Sequence, residues 1–169
     1  VIESIGNYKV GYKLLTNGYL RETADAVYWM PKDMSSFVEV EGCSGWRPTK
    51  AGIFTEMPTE NGMYQILLCR AETGNQEVIT TVHNAQSMFT LSQDRRGNWY
   101  YMDQTDTHLE LYRMGQNFEN KTLVVQMELD EVPCNMEECS MEIVANKLIF
   151  FTMPEWSESK VLYRYDLYE

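Results

Sequence analysis

The chain has 169 residues, 44% hydrophobic and 23% charged, with 14 basic against 25 acidic side chains and a formal net charge of -11. That length suits one domain with a real core, and an acidic chain without a local Lys/Arg cluster repels a phosphate backbone, which sets nucleic acid aside as a partner. No apolar run approaches the roughly 20 residues of a membrane span, so no membrane insertion is expected.

Four Trp, 11 Tyr and 6 Phe lean the composition toward sheet. Tyr8–Leu15 suits a strand, and Asn17-Gly18 supplies a turn into Tyr19–Glu22, because both residues tolerate positive φ. Ala26–Trp29 is a short aromatic strand stopped by Pro31, Phe37–Glu41 alternates apolar and acidic, and Gly42–Ala51 reads as a loop. From Gly52 the pattern is regular: Ile53-Phe54 opens a strand, Pro58–Gly62 turns it, Met63–Arg70 returns, and Gly74-Asn75 turns into Val78–Val82. Residues 86–93 (QSMFTLSQ) alternate as a further strand. The stretch Gly97–Met127 then holds an aromatic strand, a polar turn, a strand ending Leu-Tyr-Arg, a second polar turn and an apolar strand. Glu128–Glu138 is an acidic loop, after which Met141–Val144, Lys147–Phe151 and Lys160–Tyr168 are extended, with a turn at Pro154–Ser159. No useful window holds helical periodicity, so almost no helix is predicted.

The chain repeats itself. Phe54, Tyr100 and Phe150 recur at intervals of 46 and 50 residues, and Leu68-Cys69-Arg70, Leu111-Tyr112-Arg113 and Leu162-Tyr163-Arg164 carry arginines 43 and 51 apart. A period in the forties with about four short strands per unit is the mark of propeller blades, which bury both faces by stacking on neighbours. The fragments Trp99–Asp103 with Leu111–Met114, and Leu148–Phe151 with Leu162–Asp166, resemble blades of YWTD-type and related bacterial propeller proteins over Gly52–Glu169, with a fainter echo at Ala26–Trp29. Tyr28 and Phe54 are only 26 residues apart, and the chain holds at most about three and a half such units. The expectation is therefore a single all-β domain over residues 1–169, built of propeller-like repeats and possible as part of a larger propeller. A lipocalin-like barrel, with Met88, Phe89, Leu123 and Val125 lining a lumen for a small apolar ligand, and a β-trefoil are the alternatives. Within a propeller, Tyr8–Leu15 is the candidate to pair with the last strand and close a ring; a second copy or a neighbouring domain is the other way to complete it.

Catalytic patterns are missing: there is no Gly-x-Ser-x-Gly elbow, phosphate-binding Gly-rich loop or HExxH, and His83 and His108 read as solvated turn residues. No enzyme activity, cofactor or metal site is expected. A four-cysteine zinc site lacks its second tight pair, and the Glu128, Asp130, Glu131, Glu137, Glu138 loop lacks calcium-loop spacing. Cys43, Cys69, Cys134 and Cys139 form either two disulfides, with Cys134 and Cys139 able to close a short loop, or four thiols with Cys69 as core filler. Asn120-Lys121-Thr122 matches a glycosylation acceptor in a turn. Trp46 and Trp156, placed in a loop and an acidic turn, are the candidate anchors for a protein or carbohydrate partner. The chain starts at Val1 with no basic-then-apolar leader, so any signal peptide has been removed or the chain was trimmed; the location expected is secreted or cell envelope.

Overall fold

Alternation along the chain becomes antiparallel pairing. The structure, a computed structural model, describes residues 2–5, 8–14, 18–22, 27–31, 33, 38–40, 46–49, 52–70, 75–129, 136–152 and 161–168. These fall in two units, Val1–Thr81 and Val82–Glu169.

In the first unit, β1 (Ile2–Ile5), β2 (Tyr8–Leu14), β3 (Gly18–Glu22), β4 (Val27–Pro31) and β5 (Val38–Val40) form a five-stranded sheet in chain order. This corrects two expectations. The N-terminal segment belongs to a whole sheet, so the half repeat inferred from Tyr28 is a false alignment, with Tyr28 on the fourth strand. The strand at Tyr8 has β1 on one side and β3 on the other, both pairing sides filled, so it does not close a ring beside the last strand.

A second sheet follows in the order β6 (Trp46–Pro48), β7 (Gly52–Pro58), β8 (Tyr64–Arg70) and β9 (Gln76–Val82). The predicted loop at Gly42–Ala51 thus contains an edge strand, with Trp46 opposite Thr55 and Pro48 opposite Ile53. Pro48 misled the prediction because an edge strand leaves its outward N–H positions without ladder partners, so proline is tolerated there. Burial along Gly52–Glu56 and Ile66–Cys69 is continuous rather than alternating, so both faces of β7 and β8 are covered.

The second unit starts with a correction. Residues 86–93 are not one strand: Ser87–Thr90 forms a single helical turn, α1, and only Ser92–Gln93 remains as β10, pairing with Tyr100 and Trp99. It continues as β11 (Trp99–Gln104), β12 (His108–Met114) and β13 (Thr122–Glu128), in the order β10-β11-β12-β13. After a 3-10 turn at Met136–Glu138 come β14 (Cys139–Val144), β15 (Lys147–Thr152) and β16 (Val161–Asp166), a three-stranded sheet among the described residues. Pleating divides the residues of β11 and β12 between two faces. Tyr100, Met102, Leu109 and Leu111 join Met136, Met141, Leu148 and Phe150 in one core between the two sheets of this unit. Fully burying each such side chain contributes roughly 1.5–3 kcal/mol.

The protein is all-β, and its described residues form four separate antiparallel sheets of propeller-like form, which sets aside a single closed barrel or trefoil. Met88 lies buried in α1, while Phe89 and Leu123 are exposed, so they do not share a lumen. The repeat is physical: each aligned aromatic lies on the second strand of its sheet, and each arginine on the third. Pairing refines the alignment, since the arginines face Gly52, Tyr100 and Ile149, giving intervals of 48 and 49 along the second strands.

Gly52 shows what this register demands. Its φ is +142, and a Cβ built on it would lie 2.2 Å from the carbonyl oxygen of Cys69. Only glycine fits without moving the backbone of β8. Replacing Gly52→Ala is expected to cost about 2–4 kcal/mol of folding stability, read as a lower urea midpoint; an unchanged midpoint would mean that β7 and β8 separate without cost.

Candidate functional site

The opposite face of β11 and β12, which is buried as well, carries Trp99, Tyr101 and Asp103 beside Met114, Tyr112 and Glu110, which are their cross-strand partners in that order. Two acids directly opposite one another are unfavourable in a sheet, and both are buried, Asp103 at 1% and Glu110 at 8% exposure. Each has a separate remedy.

Asp103 accepts hydrogen bonds from five donors. They are the backbone N–H of His83 (2.9 Å to Oδ2), the ring Nδ1 of His83 (3.0 Å), the N–H of Asn84 (3.1 Å), Ser87 Oγ (2.9 Å) and its neighbour's N–H at Gln104 (3.0 Å). A carboxylate only accepts, so His83 carries its proton on Nδ1. This knot explains α1. Once Asp103 holds His83, Asn84 and Ser87, the following residues turn, and Thr90 Oγ1 accepts the N–H of Met102 at 2.8 Å in place of a longer β10. The same Thr90 hydroxyl donates to the Ser87 carbonyl at 2.8 Å.

Glu110 accepts from Tyr112 Oη at 2.7 Å and from Gln126 Nε2 at 3.1 Å. Tyr101 and Tyr112 stack with centroids 5.3 Å apart at 18°. The Lys121 ammonium sits over both rings, 4.3 Å from the Tyr112 centroid and 5.4 Å from that of Tyr101. Lys121 is an exposed residue whose charged end is desolvated, so its pKa is lowered, against the pull of Asp103 and Glu110 in the other direction. The turn before it is rigidly built. Gly115 N–H donates to Glu119 O at 2.7 Å, and Phe118, at φ +64, stacks on Trp99 at 5.3 Å.

A third buried acid, Asp94, shapes the turn into β11. It accepts from the N–H groups of Arg96 (2.8 Å) and Asn98 (2.9 Å) and from Asn98 Nδ2 (2.9 Å). Tyr100 Oη points to it at 3.4 Å. Burial first, and the Asp94 charge second, push Tyr100 up to about 12. Tyr112 is raised as well, by burial and then by its bond to Glu110.

The residues singled out from sequence are scattered. Trp46 opens β6 rather than lying in a loop, and Trp156 lies outside the described residues, as do Cys43, Cys134, Asp130, Glu131 and the turn at 154–159. Cys69 is buried in β8, where desolvation raises its pKa, and Cys139 is half-buried at the start of β14. Asn120 is exposed in the β12–β13 turn at φ +56. His108 is the first residue of β12 rather than a free turn residue, with Nδ1 2.7 Å from Thr107 Oγ1 and Nε2 3.2 Å from Glu128 Oε1. The arginines of the repeat sit at the surface, Arg70 paired with Glu77 in its own sheet and Arg113 donating to Asn98 Oδ1 at 3.0 Å. Among the described residues no group of three or more His, Cys, Asp and Glu is arranged for a metal, and no helix is long and apolar enough to cross a membrane. The Asp103 and Glu110 cluster was missed; its one signal in the sequence is an acid set among apolar and aromatic residues in each of two strands.

No protein-family model and no curated protein matches the chain. Solved structures do resemble it. The β-propeller domain of the Trilobed protease from Pyrococcus furiosus is 10% identical with a TM-score of 0.49, covering 96% of this chain and 56% of that one. The N-terminal domain of Nup159 is 12% identical with a TM-score of 0.47, covering 88% of this chain and 40% of that one. The acylaminoacyl peptidase of Pyrococcus horikoshii is 11% identical with a TM-score of 0.48, covering 92% of this chain and 30% of that one. The chain spans little more than half the length of the first of these and less of the others. Likenesses this distant carry no argument about activity, and the architecture stands on the sheets themselves.

Two outcomes follow from the buried acids. Asp103→Ala leaves the donors of His83, Asn84 and Ser87 without their acceptor and is expected to cost roughly 3–5 kcal/mol in denaturant unfolding, with Asp103→Asn intermediate. An unfolded tyrosine ionises near pH 10, whereas Tyr100 stays neutral to about 12 when folded. The folded state therefore binds more protons in that window, and stability, full below it, falls as pH rises from 10 toward 12. Melting temperatures across this range check it, and Tyr100→Phe should flatten the decline.

Proposed function

We propose that this chain is a non-enzymatic binding or scaffold module of a propeller-type repeat protein, of YWTD or related bacterial kind, that contacts a protein or a carbohydrate through loops at the ends of its sheets. Its place of work is outside the cell or in the cell envelope. What supports a binding role over catalysis is the state of Asp103. Ser87, His83 and Asp103 are the residue types of a nucleophilic triad, but that chemistry needs the hydroxyl on the far ring nitrogen of the histidine. Here Ser87 Oγ donates at 2.9 Å to Asp103 itself, and the carboxylate is spent on holding a turn.

The surface suits contact with other molecules. Val78, Leu123 and Val161 are exposed on β9, β13 and β16. Among the described residues β16 pairs with β15 alone, where the third strands of the two preceding sheets each have a fourth beside them. A second copy or a neighbouring domain that supplies a strand there is part of the same proposal.

Chromogenic esters, peptides and glycosides are expected to turn over no faster with the protein than without it. Trp46→Ala or Trp156→Ala should weaken glycan-array or partner binding while leaving the circular dichroism spectrum unchanged. Hydrolysis lost on Asp103→Asn or Glu110→Gln would overturn the proposal in favour of an enzyme.

A further inference from the structure

We propose that Asn120 is the acceptor for an N-linked oligosaccharide, and that the sugar shields the exposed start of β13. This rests on the placement outside the cell or in the cell envelope proposed above and adds a covalent modification to it. Three observations carry it.

The first is the setting of the acceptor. Asn120-Lys121-Thr122 is the one Asn-x-Ser/Thr triplet in the sequence, and it closes the turn between β12 and β13 with all three residues exposed. The second is that the turn is held without the acceptor's amide. Gly115 N–H donates to the Glu119 carbonyl at 2.7 Å, Phe118 N–H to the Gly115 carbonyl at 3.0 Å and Asn117 N–H to Glu119 Oε2 at 2.8 Å, while Phe118 stacks on Trp99. Asn120 supplies a backbone at φ +56, in the left-handed region that asparagine tolerates, and its side-chain amide bonds to none of the described residues. Thr122 Oγ1 lies a long 3.5 Å from the Arg113 carbonyl, so the hydroxyl that defines the triplet is open to a transferase as well. The third is what stands beside it. Leu123, the next residue of β13, is 48% exposed, and a bulky hydrated sugar three residues before it hinders another chain from packing there.

The step is a glycosyl transfer from an oligosaccharide carried on a lipid diphosphate. A bond forms between Asn120 Nδ2 and C1 of the sugar as the C1–O bond to the diphosphate breaks, and the lipid diphosphate and one amide proton leave. The side-chain carbonyl is untouched, and no hydrogen bond of the turn described above is broken.

The test secretes the whole chain from a eukaryotic host behind a cleavable leader. The product should be heavier by one oligosaccharide, and peptide N-glycosidase should remove that mass and leave a carboxylate where the acceptor amide stood. Thr122→Ala should abolish the added mass and Thr122→Ser should keep it. Asn120→Asp, whose side chain is also tolerated at positive φ, should abolish it without disturbing the turn. A folded, secreted chain without the added mass would overturn the site, as would added mass that survives in Thr122→Ala and Asn120→Asp alike. In sedimentation velocity at matched concentration the sugar-free protein should form more oligomer than the glycosylated one, and equal distributions would overturn the shielding. Turnover and the tryptophan variants test the wider binding role separately, so either can fail without the other.

Discussion

One buried carboxylate sets the form of the second unit. Asp103 lies on the second strand of its sheet, yet its hydrogen bonds reach back about 20 residues to the end of β9. A charge at 1% exposure is tolerated only when its lone pairs are occupied by donors, and backbone N–H groups are the donors nearest to hand. Occupying them fixes where β9 stops, turns the chain at Asn84 and leaves α1 where a longer first strand would otherwise run. Thr90 completes the exchange by giving Met102 a side-chain acceptor where a strand would have given a backbone one.

The same strands serve two unlike surfaces because side chains alternate across a pleated sheet. Tyr100, Met102, Leu109 and Leu111 point into the apolar core of the unit, and their immediate neighbours Tyr101, Asp103, Glu110 and Tyr112 build a polar and aromatic face. Like charges at Asp103 and Glu110 would repel, and three different devices relieve them: backbone donors for the first, phenol and amide donors for the second, and the Lys121 ammonium for both.

Repetition is carried by backbone position rather than by residue identity. The second strand opposes its arginine with Gly52, Tyr100 or Ile149, three residues with nothing in common but their place in the register. Gly52 is dictated by the nearby Cys69 carbonyl, whereas Tyr100 is anchored by Asp94, so each repeat solves its local packing independently. Sequence alignment through aromatics therefore falls one or two residues from the true register, and it fails in the first sheet, where the aromatic Tyr28 lies on a different strand.

The order of three strands and two turns over Gly97–Met127, seen as Trp99–Gln104, His108–Met114 and Thr122–Glu128, was legible because alternation writes a strand's period directly into the chain, and polar turns punctuate it. The repeat was legible for the same reason. Other features were not: β6, disguised by Pro48; the complete N-terminal sheet; and α1, whose alternating residues read as strand. Nor was the Asp103 and Glu110 cluster, since an acid in a strand looks the same whether it faces water or five donors. The sequence by itself determined an all-β chain of repeated strands and turns, because alternation and turn chemistry act between near neighbours. Only the tertiary structure decided which carboxylates are buried, what they hold and where a strand gives way to a helical turn, because those outcomes depend on hydrogen-bond partners about 20 residues away.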